Sequence, residues 1–479
     1  MNYPSIILPI GRLLIMVSCI MILPASADLA AGNPDWKAFL VSAIVFGLAG
    51  CLTEAAFRGT DTRLRPREAF ILVTVTWLVF SIVGAVPLLA SGLDISITDA
   101  FFEAASGLTT TGSTILTHLD GLPPGLLLWR SLLQWIGGVG IIVIGIWLLP
   151  VLRVGGQQLF SIESSENRAW TVGPLQPFIR RLLMLYGGLT LTCGMLYLLA
   201  GMSAFDAANH ALTTVSTGGF STSDQSLGRF DSLTIDWIAI VFMTVCSLPF
   251  LFLIRLTDRS GVRATQQVIW FVSILAASSL FVFLVIRWHQ PGAPFELLTL
   301  SVFHVVSVVT TTGYAASDYL LWGPAAVAAL FLLTFIGGCN GSTAGGFKIF
   351  RIVILVSVVR SALRIMVRPH RIAQPHFEGQ IVNKSVSESI LIFTILYAGT
   401  FALFALAYSV TGLDLETSLS ASITALANVG PGIGPIIGPA GNFQPLPDFV
   451  KWLLAFEMIL GRLEIIGGLL ILSPGFWLE

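Results

Sequence analysis

Runs of apolar residues, each of about the 20 that a helix needs to cross the hydrocarbon core of a bilayer, recur from one end of this chain to the other and exclude a soluble fold. They lie at 6–23, 36–57, 69–90, 126–152, 178–200, 233–256, 266–288, 385–410 and 449–472, with a glycine-interrupted run from 324 to about 368. Composition agrees: 55% of the 479 residues are hydrophobic, only 11% are charged, and mean hydropathy is +0.86. The expected fold class is an all-α polytopic membrane protein, since helices of this kind satisfy their own backbone in lipid. A net charge of −1 offers nothing for nucleic acid, so membrane lipid is the expected surrounding partner.

Between the long runs lie shorter apolar segments at 98–108, 204–215, 295–309 and 415–427. Each is too short to span and suits a re-entrant helix buried in protein. Each ends in a turn: Thr109-Thr110-Thr111-Gly112-Ser113-Thr114, Ser216-Thr217-Gly218-Gly219, Thr310-Thr311-Thr312-Gly313-Tyr314 and Asn428-Val429-Gly430-Pro431-Gly432. With Gly112, Gly218, Gly313 and Gly430 as the central glycines, the intervals are 106, 95 and 117 residues. A unit of span, short helix, turn and span is therefore expected four times, at 68–165, 166–263, 264–371 and 372–479, behind two N-terminal transmembrane helices in 1–67. The spans 233–256 and 449–472 are expected to be continuous.

Basic residues set the orientation. Eighteen of the 25 Lys and Arg fall in segments that follow the second span or join the units, which marks that side as cytosolic. Every glycine turn then enters from outside, and four such turns about one axis would form an oxygen-lined cation site. Asp99, Glu103, Asp206, Glu296, Asp414 and Glu416 lie near the outer starts of the short helices, where capping or attraction of cations to the mouth would use them.

Residues 337–346 hold five glycines in ten positions, which makes continuous helix improbable and suggests a flexible intramembrane loop beneath the turns. Close interhelical packing by small residues is the competing reading. Arg462 lies midway along the last span, with Glu457 and Glu464 at spacings that make neither a good same-helix partner. Pairing with the loop, a barrier in the pore, or an ion pair to another helix all remain open for it. Glu54 is expected to meet Arg58, four residues on, while His210 and His304 read as packing residues of their short helices. Five cysteines in apolar runs, without paired spacing, argue against a disulfide framework or zinc site. Residues 6–23 followed by Ala25-Ser26-Ala27 have the outline of a signal peptide, but their only positive charge, Arg12, lies inside the run, so this span is expected to be retained.

These motifs, with Asp99-Ala-Phe-Phe-Glu-Ala-Ala-Ser-Gly-Leu-Thr-Thr-Thr-Gly112 and Gly337-Gly-Cys-Asn-Gly-Ser-Thr-Ala-Gly-Gly346, resemble the TrkH subunits of bacterial Trk potassium uptake systems, in the Trk/Ktr/HKT superfamily. The likeness runs over nearly the whole chain, and the two leading spans match TrkH rather than the shorter KtrB type. It implies a fourfold pseudosymmetric potassium pore in the bacterial inner membrane, usually as a homodimer, with K+ as the transported ion and no organic cofactor. The family's filter carbonyls map to Thr110 and Thr111, Ser216 and Thr217, Thr311 and Thr312, and Asn428 and Val429. Its gate loop maps to 338–346, including Gly338, Asn340, Gly341, Ser342, Thr343, Gly345 and Gly346, and its gate arginine to Arg462. A TrkA-like cytosolic nucleotide-binding subunit would regulate opening. Glycine at all four central positions implies potassium preference, because a serine at the first goes with sodium in plant relatives. The alternative is a secondary cation transporter coupled to protons or sodium, against which the parallel sense of the units speaks. An enzyme is not expected, since no nucleophile–base pair or metal cluster is found.

Overall fold

The computed structural model describes residues 2–60, 64–147, 175–257, 264–370 and 372–478; Arg63, Arg153, Arg168, Arg259, Arg263 and Arg371 of the basic set lie outside them. Apart from one short hairpin, His376–Phe377 with Gln380–Ile381, the described elements are helical. Among the described residues, seven helices are long and apolar enough to cross a membrane, or up to eight if a bent pair counts as one span.

Two helices, α1 (Pro4–Ile20) and α2 (Ile22–Ala30), form one apolar run that packs on α3 (Trp36–Ala56). Small residues set that contact: a Cβ on Gly50 would stand 2.6 Å from the Gly11 carbonyl. Arg12 of α1 therefore reaches Glu54 of α3 at 2.8 Å. The neighbouring helix, rather than Arg58 along the same one, supplies the partner of Glu54.

Four units follow. The first is α4 (Pro66–Ala90), the short α5 (Ile97–Leu108) and α6 (Pro124–Trp147); the second is α7 (Leu175–Leu199), α8 (Ala204–Val215), α9 (Leu233–Cys246) and α10 (Phe250–Thr257). The third is α11 (Gln266–His289), α12 (Pro294–Val309), α13 (Pro324–Thr334) and α14 (Ile349–Val367). The fourth is α15 (Lys384–Val410), α16 (Leu415–Ala427), α17 (Asp448–Arg462) and α18 (Ile466–Leu472), with α19 (Pro474–Leu478) behind it. Caps start three of the short helices: Ser96 accepts from Asp99 N–H at 3.1 Å, Ser203 from Asp206 N–H at 3.0 Å, and Asp414 from Thr417 N–H at 2.9 Å.

The units close into a ring. Helix α6 packs on α8 of the second unit, α9 on α12 of the third, α13 on α16 of the fourth, and α17 returns to α5 of the first. Within the first and fourth units glycines allow close approach as well, since a Cβ on Gly137 would stand 1.8 Å from the Leu108 carbonyl and one on Gly461 2.1 Å from that of Leu426.

Three second-half spans are broken among the described residues. The break between α13 and α14 was expected; those at 247–249 and 463–465 were not. Pro249 lacks an N–H and disfavours helix at Leu248, so α9 and α10 meet at 99°. At the other break Glu464 and Ile465 take φ of 55° and 54°, and Ile465 N–H bonds back to Leu460 at 2.9 Å. Two of the three breaks expose backbone groups that answer one another. Phe250 N–H donates to Gly341 O at 2.9 Å, and Cys339 N–H donates to Ser247 O at 3.0 Å. Each irregular segment thereby satisfies the other inside the helical bundle, as lipid-depth backbone requires.

Gly137→Ala and Gly461→Ala are each expected to lower stability by about 1–3 kcal/mol through overpacking. Gly140→Ala, with nothing within 4 Å of its added Cβ, is the control, and thermal unfolding of the detergent-solubilised protein should leave it level with the parent or above.

Candidate functional site

The four short helices end in the same way. Backbone N–H groups of Thr111, Gly218, Thr312 and Val429 reach back to Ser106, Thr213, Ser307 and Thr424, each at 2.9 Å. The residue before each donor, Thr110, Thr217, Thr311 or Asn428, is left-handed, with φ of 54°, 52°, 56° and 56°. This is the Schellman termination, and it satisfies carbonyls that the last helical turn would otherwise leave open. A second left-handed residue follows two positions later: Gly112 (85°), Gly219 (79°), Gly313 (80°) and Gly430 (105°).

That pattern corrects the register of the second turn. Gly219, rather than Gly218, corresponds to Gly112, so the three-residue turn there is Thr217-Gly218-Gly219. Ser216 corresponds to Thr109 and Thr310, at the end of the helix. Two adjacent glycines hid the register, because sequence alone does not say which of them carries positive φ.

Contacts between the turns close a circle. A Cβ on Gly112 would stand 2.3 Å from Gly218 O, on Gly219 1.9 Å from Thr312 O, on Gly313 1.9 Å from Val429 O, and on Gly430 2.6 Å from Thr111 O. Each glycine thus receives the carbonyl of the next turn around. Side chains pin this arrangement. Ser113 donates to Gly430 O at 3.1 Å, Ser106 to Ser113 O at 2.6 Å, and Ser307 to Tyr314 O at 2.7 Å. Gln134, which the motif reading missed, donates to Gly218 O at 2.6 Å and accepts from Phe220 N–H at 3.0 Å. On one side of the ring lies a cavity of about 300 Å³, lined by Gly112, Gly219, Gly313, Pro431 and Asp224 among others.

Nine positions before each ring glycine stand Glu103, His210, His304 and Ala421. The first three brace the strand that leaves the ring: Glu103 accepts from Ile115 N–H at 2.9 Å, His210 Nε2 bonds Ser221 Oγ at 2.9 Å, and His304 Nε2 bonds Ser317 O at 3.1 Å. Glu103 is thus fully buried rather than at the mouth, paired at 2.7 Å with Arg130, which also donates to Ser221 O of the second unit. The equivalence of these positions became visible only once Gly219 set the register. Asp99 does sit at a helix start. Burial works to raise its carboxyl, but Lys451 at 2.6 Å and Ser96 outweigh that and hold it below its ordinary value.

The segment 335–348 lies directly against the turns. Gly345 N–H donates to Thr311 Oγ1 at 2.6 Å, Thr217 Oγ1 donates to Thr343 Oγ1 at 3.1 Å, and a Cβ on Gly345 would meet Ala427 O at 2.5 Å. The segment is held rather than loose: Gly337 N–H bonds Phe347 O at 3.0 Å, and Asn340 N–H bonds Gln267 Oε1 at 3.2 Å. Its glycines serve close backbone approach, as at Gly337, whose Cβ would stand 2.1 Å from Gly345 O. Gly338, Gly341, Ser342 and Gly346 complete the same segment. Arg462 is 2% exposed, and its guanidinium nitrogens have no hydrogen-bond partner among the described residues. Of the two acids near it in sequence, Glu464 pairs with Arg351, and Glu457 accepts from Tyr408 and Ser422 at 2.6 Å.

Fold and cluster define a multi-pass membrane protein whose four helix–turn units meet in a closed circle of glycine turns. The family model TrkH, described as cation transport protein, matches residues 36–290 and 296–474, and the chain belongs to that family. Similar proteins include the Trk system potassium uptake protein TrkI of Halomonas elongata, 40% identical over 99% of this chain and 97% of that one. The Trk system potassium uptake protein TrkH of Vibrio parahaemolyticus is 34% identical over the full length of both. The crystal structure of the potassium transporter TrkH from Vibrio parahaemolyticus superposes with a TM-score of 0.91, at 33% identity and complete coverage of both chains.

The corrected register has a direct test. Gly219→Ala places its Cβ against a backbone carbonyl at positive φ, whereas the atoms nearest a Cβ on Gly218 are those of the Gln134 side-chain amide, and φ there is not positive. Cation flux in proteoliposomes should fall at least about tenfold for the first, the equivalent of ~1.4 kcal/mol, and clearly less for the second.

Proposed function

We propose that this protein carries potassium into a bacterial cell across the inner membrane, through a filter formed by the four turns. The observation that carries this reading is the closed circle of glycines and neighbouring carbonyls. Neutral oxygens without a carboxylate ring suit a monovalent cation, whose lost hydration they replace. The filter residues are Thr110, Thr111 and Gly112; Thr217, Gly218 and Gly219; Thr311, Thr312 and Gly313; and Asn428, Val429 and Gly430. The short helices end at the ring, so their negative dipole ends favour a cation there. The four repeats 68–165, 166–263, 264–371 and 372–479 are its quarters, and 1–67 is a flanking pair of helices.

The segment 335–348 is the gate, seated on the inner face of the filter, and Arg462 is a charge barrier on the same side. A TrkA-like nucleotide-binding subunit on the cytosolic face unseats the segment, and the complete assembly contains two copies of this chain. The printed names of the relatives, potassium uptake proteins of Trk systems, support the ion and the multi-part system. A rocking carrier coupled to protons or sodium is the second reading, favoured only by the uptake role.

Purified protein in liposomes should pass potassium and rubidium down their gradients with no proton gradient imposed. Flux that strictly requires an opposing proton or sodium gradient selects the carrier instead. Gly112→Ser, whose side chain meets Gly218 O, should reduce potassium-over-sodium selectivity at least about tenfold, ~1.4 kcal/mol. An unchanged permeability ratio removes the filter role. Gly345→Ala should raise flux without the regulator, because its Cβ displaces the segment from Ala427 O.

A further inference from the structure

The first residue is the one position of the turn at which the side chain carries an oxygen in all four units. Thr110, Thr217 and Thr311 bring hydroxyls and Asn428 a carboxamide, all at nearly the same left-handed φ and at most 1% exposed. The four corners are not in the same state. Thr110 Oγ1 and Asn428 Oδ1 have no hydrogen-bond partner among the described residues. Thr311 Oγ1 instead accepts the N–H of Gly345 at 2.6 Å, and the Thr217 hydroxyl, which lies 2.7 Å from Ser216 O, also reaches Thr343 Oγ1 at 3.1 Å. Gly345 and Thr343 both belong to the segment 335–348. Leaving buried oxygens unmatched is costly unless something in the space they border answers them.

We propose that these four side-chain oxygens form a cation site of their own, one layer inward of the carbonyl ring, and that the segment 335–348 competes with a monovalent cation for it. The proposal rests on the reading of the turns as a cation pathway. Hydroxyl and amide oxygens without a carboxylate select a weakly hydrated monovalent ion over a divalent one. A seated segment directs the positive end of the Gly345 N–H at one corner and holds the hydroxyl of a second, leaving two corners of four. Ion and segment therefore exclude each other. Whatever binds only the unseated form shifts the population toward it, so the transported ion at the inner side promotes its own release from the gate.

The test follows the segment directly. In protein whose native cysteines have been replaced, Thr343→Cys is reconstituted and its labelling by a neutral maleimide is timed from the inner side. Potassium is compared with N-methylglucamine at constant ionic strength. The labelling rate should be at least about fivefold higher in potassium, the measure of the population shift. Adding Thr110→Val, which removes a corner the segment does not touch, should raise the potassium concentration for half-maximal labelling about tenfold. In protein that keeps Thr343, Thr110→Val should shift the potassium dependence of rubidium efflux in the same direction. Equal labelling in both cations, or protection by potassium, overturns the competition. If such protein still passes rubidium, the pathway reading stands without it; if it passes no alkali cation, both fall.

Discussion

Everything at the centre of this molecule depends on one contact made four times: a glycine at positive φ receiving the carbonyl of the neighbouring turn. The approach is so close that a methyl group would stand 1.9 to 2.6 Å from that oxygen. Glycine is required twice over at each corner, by its dihedral and by its lack of a side chain. Because every corner takes a carbonyl from the next and offers one to the last, none can move alone. The circle also explains the exchange of helices between units, since each second-half helix must pack on the following unit's short helix to bring the turns into reach.

A second constraint is backbone accounting inside the bundle. Three breaks in helices would leave N–H and C=O groups open where no lipid can answer them. The Pro249 break and the segment 335–348 resolve this by bonding to each other. Other polar contacts of the segment go to Gln267 of α11 and to the turns, at Thr311 and Thr217. The same piece of chain is therefore fastened both to neighbouring helices and to the turns.

Charge is kept off the ring and is answered behind it. Glu103 and Arg130 form a buried pair that joins the first unit's exit strand to Ser221 of the second. Arg130 also lies over the Phe220 ring at 4.1 Å. Arg351 pairs with Glu464 at the break after α17, and so ties the helix that follows the segment 335–348 to the last span. Arg462 has no hydrogen-bond partner on any of its three guanidinium nitrogens among the described residues, whereas Arg351 leaves only Nε and Nη1 so.

Much of this was legible beforehand. Apolar run lengths identified the spanning helices, because crossing hydrocarbon demands a minimum length whatever the packing, and glycine density marked the one break that no helix could survive. The four Thr-Gly or Asn-Val-Gly turns could be read as equivalent from their place after short helices. Which of Gly218 and Gly219 took the left-handed position could not, since both residues permit it and only the Thr312 carbonyl chooses. The alliance of Arg12 with Glu54, the burial of Glu103 against Arg130 and the break at Glu464 depend on helices distant in sequence. Local pattern records what one segment prefers; the partner it meets is a property of how the four units close on one another.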